Sequence, residues 1–303
     1  CSQSRGLGDV YKRQAYSITL FMNQCIFTRF LFYLPIFCGS LFIQTTESLG
    51  AQENFKSGDY FNYDIYWSFL KVGQARLEFS EPKDQDAQSD TLTITFTVHS
   101  NSLIEKIYPV KSEIQSTLLI DEMKPLYYRK DQQEGDKHRT MEIQFDWLKQ
   151  ESITKEQDNP RNSLPLEPNT LDPLSLLLSI SNHNFKEAPS AFTQKVTDGG
   201  SIVSIDANYL KEQELQTKAG TFESNKITVA TKELRGVFNK SPNSELYLYM
   251  SKDTPAILIK LQSKVRVGSF NAILTDGIYK GTTISKPIKR PTQKKHWHRG
   301  RFR

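Results

Sequence analysis

Alternation of apolar and polar side chains along several segments is the feature that most constrains the fold of this chain. In Tyr60–Phe69 every second residue is apolar or aromatic, and in Asp90–His99 apolar residues alternate with four threonines. A period of two places the apolar set on one side of a β-strand and the polar set on the other. The expected inward residues are Phe61, Tyr63, Ile65, Trp67 and Phe69 in the first run and Leu92, Ile94, Phe96 and Val98 in the second.

A hairpin is expected at the start of this pattern. Val72–Ser80 continues the alternation, and only Leu70 and Lys71 separate it from the first run, with Gly73 at the bend. Threonines of the second run are expected on the solvent side. Further strand candidates are 111–120, 126–134, 138–147, 149–156, 193–197, 201–207, 212–217, 226–233, 245–251, 256–263, 264–269 and 270–280.

Two segments are exceptions to the strand pattern. Leu103–Tyr108 is compatible with one helical turn that ends before Pro109. Residues 173–182 predict a helix, because Asp172 can cap it and Pro173 suits its first position. This helix is apolar on nearly every side and must be covered. Residues 158–170, with three prolines, are expected to form an extended crossover.

The resulting fold class is mainly β. We expect residues 52–285 to form a single antiparallel β-barrel or a strongly curved, roll-like sheet, with one short buried helix near 173–182. Two domains divided at the crossover would each be a small sheet without disulfides, so one domain is preferred.

The N-terminal residues are expected not to belong to the folded domain. Residues 1–21 are interpreted as non-native or read-through sequence, and residues 22–51 as a signal peptide with an apolar stretch at Phe30–Ile43. A membrane anchor is the alternative, but fourteen apolar residues are fewer than the roughly 20 that span a bilayer. Cys1, Cys25 and Cys38 all lie in this part, so a cleaved protein would have no thiol. We therefore expect an exported protein, periplasmic in a Gram-negative bacterium.

Charge is unevenly distributed along the chain. The formal net charge is +5, but residues 52–285 hold 27 basic and 32 acidic residues. The last eighteen residues are expected to be a disordered basic tail that binds an anionic surface; a solvated tail with no specific role is the alternative. Its basic residues are Lys286, Lys289, Arg290, Lys294, Lys295, Arg299, Arg301 and Arg303. An export signal and the lack of a nucleic-acid-reading fold argue against nucleic acid as the partner.

The sequence gives little support to catalysis or to cofactor binding. The close pair His296 and His298 lies among positive charges, which oppose a metal cation, so no metal site and no cofactor are predicted. A nucleophile elbow and a phosphate-binding glycine loop are both missing from the sequence. Asp198 and Asp253 are interpreted as turn residues. Whether the protein is an enzyme stays open, with the balance against it.

Four tyrosines are the candidate ligand-binding residues. Tyr60, Tyr66, Tyr247 and Tyr249 fall on the parity opposite to the apolar residues of their strands. They could line a groove or barrel mouth that holds an apolar or glycan ligand, since tyrosine combines contact area with a hydroxyl group. Alternatively, they belong to a second sheet face covered by loops or by the helix.

Several segments, in this order, resemble the bacterial family called domain of unknown function 3108 (DUF 3108). They are 59–79, 171–180, 196–200, 219–227, 246–261 and 267–274. The chain departs from the family pattern at Tyr247 and Tyr249, where a tryptophan is usual, and at 182–184, where an arginine is usual. The resemblance implies an exported antiparallel β protein of the cell envelope, without an established activity or catalytic residues.

The expected function is non-enzymatic binding of an envelope component. The ligand would be apolar, a glycan, or an anionic surface reached through the tail. Two alternatives are a hydrolase acting on envelope polymers and a structural scaffold of an envelope assembly. Oligomeric state does not follow from the sequence.

Overall fold

The computed structural model describes residues 54–82, 90–185, 192–230, 245–264 and 268–285. The predictions for residues 1–21, the signal peptide at 22–51 and the basic tail at 286–303 therefore concern residues outside the described part.

Strands dominate the described chain, with two helices between them. Helix α1 spans Ser102–Glu105 and helix α2 spans Pro173–Asn182. The strands are β1 Tyr60–Trp67, β2 Leu70–Ser80, β3 Thr91–Ser100, β4 Val110–Leu119, β5 Lys124–Glu134, β6 Lys137–Asp146, β7 Glu151–Glu156, β8 Asn159–Pro165, β9 Thr170–Leu171, β10 Phe192–Thr197, β11 Ile202–Gln216, β12 Thr221–Val229, β13 Glu245–Ser251, β14 Leu258–Lys264, β15 Ser269–Tyr279 and β16 Thr282–Ile284.

All sixteen strands belong to one sheet. Its order is β8-β7-β6-β5-β4-β3-β2-β1-β15-β14-β13-β12-β11-β10-β9, and β16 pairs with β15. Neighbours are antiparallel except β9 and β10, which run parallel. No backbone ladder joins β8 to β9 among the described residues, so the sheet is curved but not closed. This confirms the mainly β, roll-like alternative of the predicted fold class.

Side chains bridge the two ends of the curved sheet. Thr154 in β7 donates from Oγ1 to the carbonyl oxygen of Gly199, 3.2 Å away, and Asn162 in β8 donates from Nδ2 to that of Gly200, 3.3 Å away. Gly199 and Gly200 lie in the turn that joins β10 to β11. The seam between the two ends of the sheet is therefore bridged by side-chain hydrogen bonds and not by backbone pairing.

The opening hairpin is confirmed, but its turn lies earlier than expected. β2 begins at Leu70, so Ser68 and Phe69 form the turn, with Ser68 at a φ of 54°. Phe61 and Tyr63 are buried as predicted. The expectation that Phe69 faces the core is wrong, since the turn leaves its side chain 87% exposed.

The threonine-rich strand β3 is buried on both faces at its start. Leu92 and Ile94 lie in the core as predicted, but Thr91 and Thr93 are also buried. The solvent-side prediction is therefore wrong for these two threonines. Thr93 is hydrogen-bonded to Thr117 of the neighbouring strand at 3.0 Å, which satisfies the buried hydroxyl groups.

Helix α2 occupies the predicted residues and fills the inside of the curved sheet. The Asp172 carboxylate accepts from the backbone N–H groups of Leu174 and Ser175, and Ser175 Oγ accepts from the Asp172 N–H, which completes a capping box. Ser116 of β4 donates to the second Asp172 oxygen at 2.6 Å. The cap therefore fixes both the start of the helix and its position on the sheet.

Little space remains between this helix and the sheet. A cavity of about 10 Å³ lies there, roughly the room that one water molecule needs. Its apolar lining is contributed by the segment before β1, by β1 to β3, by α2 and by β14, through Phe55, Phe61, Leu77, Phe79, Ile94, Leu174, Leu177, Leu178 and Leu258. Helix α2 therefore acts as a plug.

Several strand boundaries differ from the sequence expectation. The candidates 201–207 and 212–217 are one continuous strand, β11, which carries a bulge between Tyr209 and Lys211. The candidate 264–269 falls largely outside the described residues: β14 ends at Lys264, and β15 begins at Ser269. Most of the crossover 158–170 is itself strand β8, paired with β7.

Candidate functional site

The turn of the β11–β12 hairpin lies against the outward side of β1. Lys218 in this turn bonds Asp64 of β1, with Nζ 2.5 Å from Oδ2, and Lys71 of β2 bonds the other carboxylate oxygen at 2.5 Å. In the sheet, β13, β14 and β15 separate β12 from β1. The turn of this hairpin therefore reaches past these three strands to the outward side of β1.

Hydrophobic contacts agree with this position of the hairpin. Leu215 and Phe222 are opposite each other in the ladder and are partly buried against the main core, and Ala219 in the turn is buried. Burial opposes ionisation of Asp64, but the bonds to Lys218 and Lys71 outweigh it and lower the pKa of this carboxyl group. The two ion pairs with Asp64 thus join the hairpin turn to β1 and β2.

Next to this hairpin, three lysines surround two tyrosines on the outward side of the sheet. We call this set the lysine–tyrosine face: Lys226 of β12, Tyr247 and Tyr249 of β13, and Lys260 and Lys264 of β14. Cross-strand pairing aligns Tyr249 with both Lys226 and Lys260, and the core residues Leu248 and Met250 point to the other side. The strand register therefore places these cations and rings side by side.

Contacts within the lysine–tyrosine face are cation–π interactions. Lys226 Nζ lies 3.8 Å from the ring centroid of Tyr247 and 5.6 Å from that of Tyr249. Lys260 Nζ is 5.3 Å from the Tyr249 ring, and Lys264 Nζ is 5.3 Å from the Tyr247 ring. These distances fall within the range over which an aromatic face attracts an ammonium group.

The environment of the face disfavours its own positive charge. Burial, and then the nearby charge of Lys226, lower the pKa of Lys260. Burial raises the pKa of the Tyr249 hydroxyl, and the proximity of Tyr247 adds to the effect. Among the described residues, Lys260 has no carboxylate partner. An anion bound here would favour the charged form of Lys260.

A short hydrogen-bond chain continues from the face toward β1. The Tyr249 hydroxyl donates to Gln262 Oε1 at 3.0 Å, and Gln262 Nε2 donates to Asn271 Oδ1 at 3.1 Å. Asn271 is the ladder partner of Tyr66. Polar side chains therefore form a continuous row from β13 to β1.

The structure separates the four tyrosines predicted to bind a ligand into two groups. Tyr247 and Tyr249 lie together but are buried, and lysine side chains cover their rings. Tyr66 lies at the other end of the polar row, with its hydroxyl 3.4 Å from Asp64. Tyr60 is elsewhere on β1, under the Arg76 guanidinium at 3.7 Å. No open aromatic groove joins all four in the described part, and their role as ligand contacts stays a prediction.

A second polar cluster lies on the inward side of β4, β5 and β6. Glu134, at the end of β5, is only 8% exposed, and burial raises its pKa to about 7 despite the attraction of Lys130 and Arg139. Burial likewise lowers the pKa of Lys130. Ser112 Oγ and Gln132 Oε1, on residues paired between β4 and β5, are buried without a hydrogen-bond partner among the described residues.

Sequence reasoning missed the lysines of the outer face and the whole inner cluster. Lys260, Gln262 and Lys264 alternate along β14, so their parity could have identified the three as one outward row. The signal for Glu134 is weaker, because it stands beside a turn in a polar stretch, where an acid is ordinarily solvated.

Metal and membrane features can be assessed for the same residues. Histidine, cysteine, aspartate and glutamate nowhere gather in a group of three able to hold a metal ion within the part of the chain that the structure describes. Neither α1 nor α2, nor any other described segment, forms a helix long and apolar enough to cross a membrane. The predicted anion-binding residues of the tail lie outside this part.

Comparison with solved structures finds β proteins of similar extent. A β-barrel-like protein of the DUF1849 family from Brucella abortus is 11% identical, with a TM-score of 0.48, and the match covers 74% of this chain and 98% of that one. A proposed exported protein with a YmcC-like fold from Bacteroides fragilis is 8% identical, with a TM-score of 0.30 and coverages of 73% and 96%. A proposed lipoprotein from Parabacteroides distasonis is 13% identical, with a TM-score of 0.31 and coverages of 74% and 96%.

Sequence comparison identifies a family but no characterised relative. No curated protein matches the chain significantly. The family model described as "Protein of unknown function (DUF3108)" matches residues 62–275, which is more than half of the chain and includes the lysine–tyrosine face and the plug helix. The chain therefore belongs to the DUF3108 family.

Proposed function

We propose that the protein is exported to the periplasm of a Gram-negative bacterium and binds an anionic polymer of the cell envelope without catalysing a reaction. The lysine–tyrosine face is the proposed binding surface. The signal-peptide pattern of residues 22–51 supports export, and family membership supplies no competing activity.

One observation carries the binding proposal: three lysines converge over two buried tyrosine rings on the outward side of the sheet. Burial and the neighbouring charge of Lys226 disfavour the charged form of Lys260, and an anionic ligand would favour it. The tyrosines hold the ammonium groups in place through their rings, so less conformational entropy is lost on binding.

Carboxylate or phosphate groups spaced along a polymer suit this surface. Lys226, Lys260 and Lys264 lie on two strands with β13 between them, so they present several cations at once rather than one pocket. The basic tail adds affinity for the same ligand by a sequence-independent attraction.

Binding to soluble anionic polysaccharides tests the proposal. Fluorescence anisotropy with labelled polygalacturonate and heparin is compared with neutral dextran. Lys226→Gln with Lys260→Gln removes two contacts of roughly 0.5–1 kcal/mol each, which corresponds to about tenfold weaker binding. Lys195→Gln is the matched control, because Lys195 lies on a different strand, β10, and pairs with Glu167.

Deletion of residues 286–303 distinguishes the contribution of the tail to binding from that of the lysine–tyrosine face. If the deletion alone abolishes binding and the double lysine variant binds as the wild type does, the lysine–tyrosine face is not the binding surface. Equal binding of dextran and polygalacturonate would contradict the proposal as a whole.

A further inference from the structure

A second outward surface, at one end of the sheet, combines exposed apolar side chains with lysines. Half of the large exposed apolar residues of the described chain lie on the β1–β2 turn and around α1. They are Phe69, Leu70, Leu103 and Ile107, of which Phe69 is 87%, Leu103 60% and Ile107 51% exposed. We call this set the apolar tip.

Hydrogen bonds place the two segments of the apolar tip next to each other. Asn101, the N-cap of α1, donates from its backbone N–H to Val72 O at 2.9 Å and from Nδ2 to Lys71 O at 2.7 Å. Leu70 immediately precedes these residues of β2, and Leu103 follows Asn101 by two positions. The four apolar side chains therefore belong to one continuous surface.

Both segments are anchored, so the exposure is built into the fold. Ile104 and Tyr108 are buried, and they hold the helical turn with Leu103 and Ile107 directed outward. Ser68 donates its backbone N–H to Ser269 O at 2.7 Å, which fixes the β1–β2 turn to β15. A side chain as exposed as Phe69 on an anchored turn contributes nothing to the core.

Charges near the apolar tip favour an anionic partner. Lys106 and Lys111 are exposed, and neither forms an ion pair with any residue that the structure describes. Lys71 neutralises the buried Asp64. Glu105 is the exposed acid on the helical turn itself. Apolar side chains flanked by lysines are the arrangement that inserts into the boundary between lipid headgroups and acyl chains.

We propose that the apolar tip docks the protein onto an anionic lipid bilayer, with Phe69, Leu70, Leu103 and Ile107 inserted below the headgroups. The tip projects from two turns at the end of the sheet, and each side chain can enter a fluid interface independently. A second protein would have to supply a concave surface shaped to these projections, whereas a bilayer need not. This docking does not depend on the lysine–tyrosine face.

Vesicle co-sedimentation of the full chain tests the docking. Vesicles of phosphatidylcholine with about one third phosphatidylglycerol are compared with phosphatidylcholine alone. Phe69→Ser with Leu103→Ser should lower the partition coefficient about tenfold on the anionic vesicles. Leu148→Ser is the matched control, because Leu148 is 100% exposed on the β6–β7 turn and should change partitioning less than twofold.

A spectroscopic measurement separates insertion from electrostatic attraction by the tail or by the lysine–tyrosine face. In the Phe69→Trp protein, added vesicles should shift the extra tryptophan emission to shorter wavelength and expose it to quenching by brominated lipids. The extra tryptophan of Leu148→Trp should show neither effect.

Two results would overturn the docking. The first is unchanged partitioning of the double serine variant with no shift at Phe69→Trp, which would assign any vesicle binding to the charged surfaces. The second is self-association of the wild type that the serine substitutions abolish without any effect on vesicles, which would identify the tip as a protein interface.

Discussion

Glu134 should make the stability of this protein fall as the pH rises toward neutrality. The carboxyl group is buried at the end of β5, and burial raises its pKa from 4.5 to about 7. An unfolded chain exposes the same group to water. Between these two values, the folded protein retains a proton that the unfolded chain has released.

The size and sign of the effect follow from the difference between the two pKa values. Each unit of pKa difference corresponds to 1.36 kcal/mol, so a shift from 4.5 to about 7 amounts to roughly 3 kcal/mol. The favourable contribution of the protonated group is fully present below about pH 4.5. It declines as the pH rises toward 7, above which no further change is expected from this group.

Glu134→Gln removes this dependence, because an amide does not ionise. The variant should gain free energy of unfolding relative to the wild type as the pH rises, by about 3 kcal/mol between pH 4.5 and pH 8. Urea unfolding followed by tryptophan fluorescence at several pH values measures both proteins. Their difference cancels the contributions of other carboxyl groups, such as Asp64 and Asp146.

The control and the refuting result both concern the difference in free energy of unfolding between variant and wild type. Glu105→Gln, which removes an exposed acid of the nearby helical turn, is the control substitution. If Glu134→Gln gives a constant difference between pH 4.5 and pH 8, Glu134 ionises normally in the folded protein. Its burial would then be compensated, for example by the neighbouring charges of Lys130 and Arg139.

Two further substitutions test the helix cap and the seam. Asp172→Ala removes both the N-cap and the acceptor of the buried Ser116 hydroxyl group. The free energy of unfolding in urea should therefore fall by about 2 kcal/mol or more. A decrease below about 0.5 kcal/mol would show that the cap does not stabilise the fold. Gly199→Ala combines a φ of 91° with a Cβ only 2.9 Å from Thr154 Cγ2, whereas Gly58→Ala has a φ of 94° and open space around the Cβ. Both substitutions should lower the free energy of unfolding by about 1 kcal/mol, because a residue with a Cβ is strained at a positive φ. Thermal or urea unfolding should show a larger decrease for Gly199→Ala alone. Equal decreases would mean that the seam is not tightly packed.

The parts of the fold that could be predicted from the sequence are those with local causes. Helix α2 begins and ends at the predicted residues, because Asp172, Pro173 and the apolar run after them act within a few positions of each other. Parity also predicts the buried apolar residues of β1, β2 and β3, since Phe61, Leu77 and Ile94 all lie on the expected side.

The errors arise where distant segments determine the environment. Thr93 is buried because another strand provides Thr117 as its partner. Phe69 is exposed because the bond from Ser68 to Ser269 fixes the turn at Ser68 and Phe69, before the predicted Leu70 and Lys71. β11 continues past Tyr209 because β12 pairs with it along its length and the hairpin returns to Asp64. Sequence periodicity contains no information about any of these partners.

The candidate site shows the same division between local and distant causes. Parity correctly separated Tyr247 and Tyr249 from the core residues beside them, and the outward parity of Lys260 was available from the same reasoning. The lysine over the tyrosine rings could not be predicted, since Lys226 belongs to another strand, β12, whose pairing with β13 the sequence does not show. The structure places lysines beside these rings, and the role of the tyrosines as ligand contacts stays a prediction.

The plug helix links these observations to function. A strongly curved sheet of this size could in principle enclose a ligand, as larger barrels do. Here α2 occupies the inside, and the described cavity beside it has room for about one water molecule. A ligand inside would have to displace a helix fixed by a buried cap and by apolar packing along its length, whereas one on the outer face has only to approach lysines already in place. Ligand binding is therefore expected on the outside of the sheet, where both the lysine–tyrosine face and the apolar tip are found.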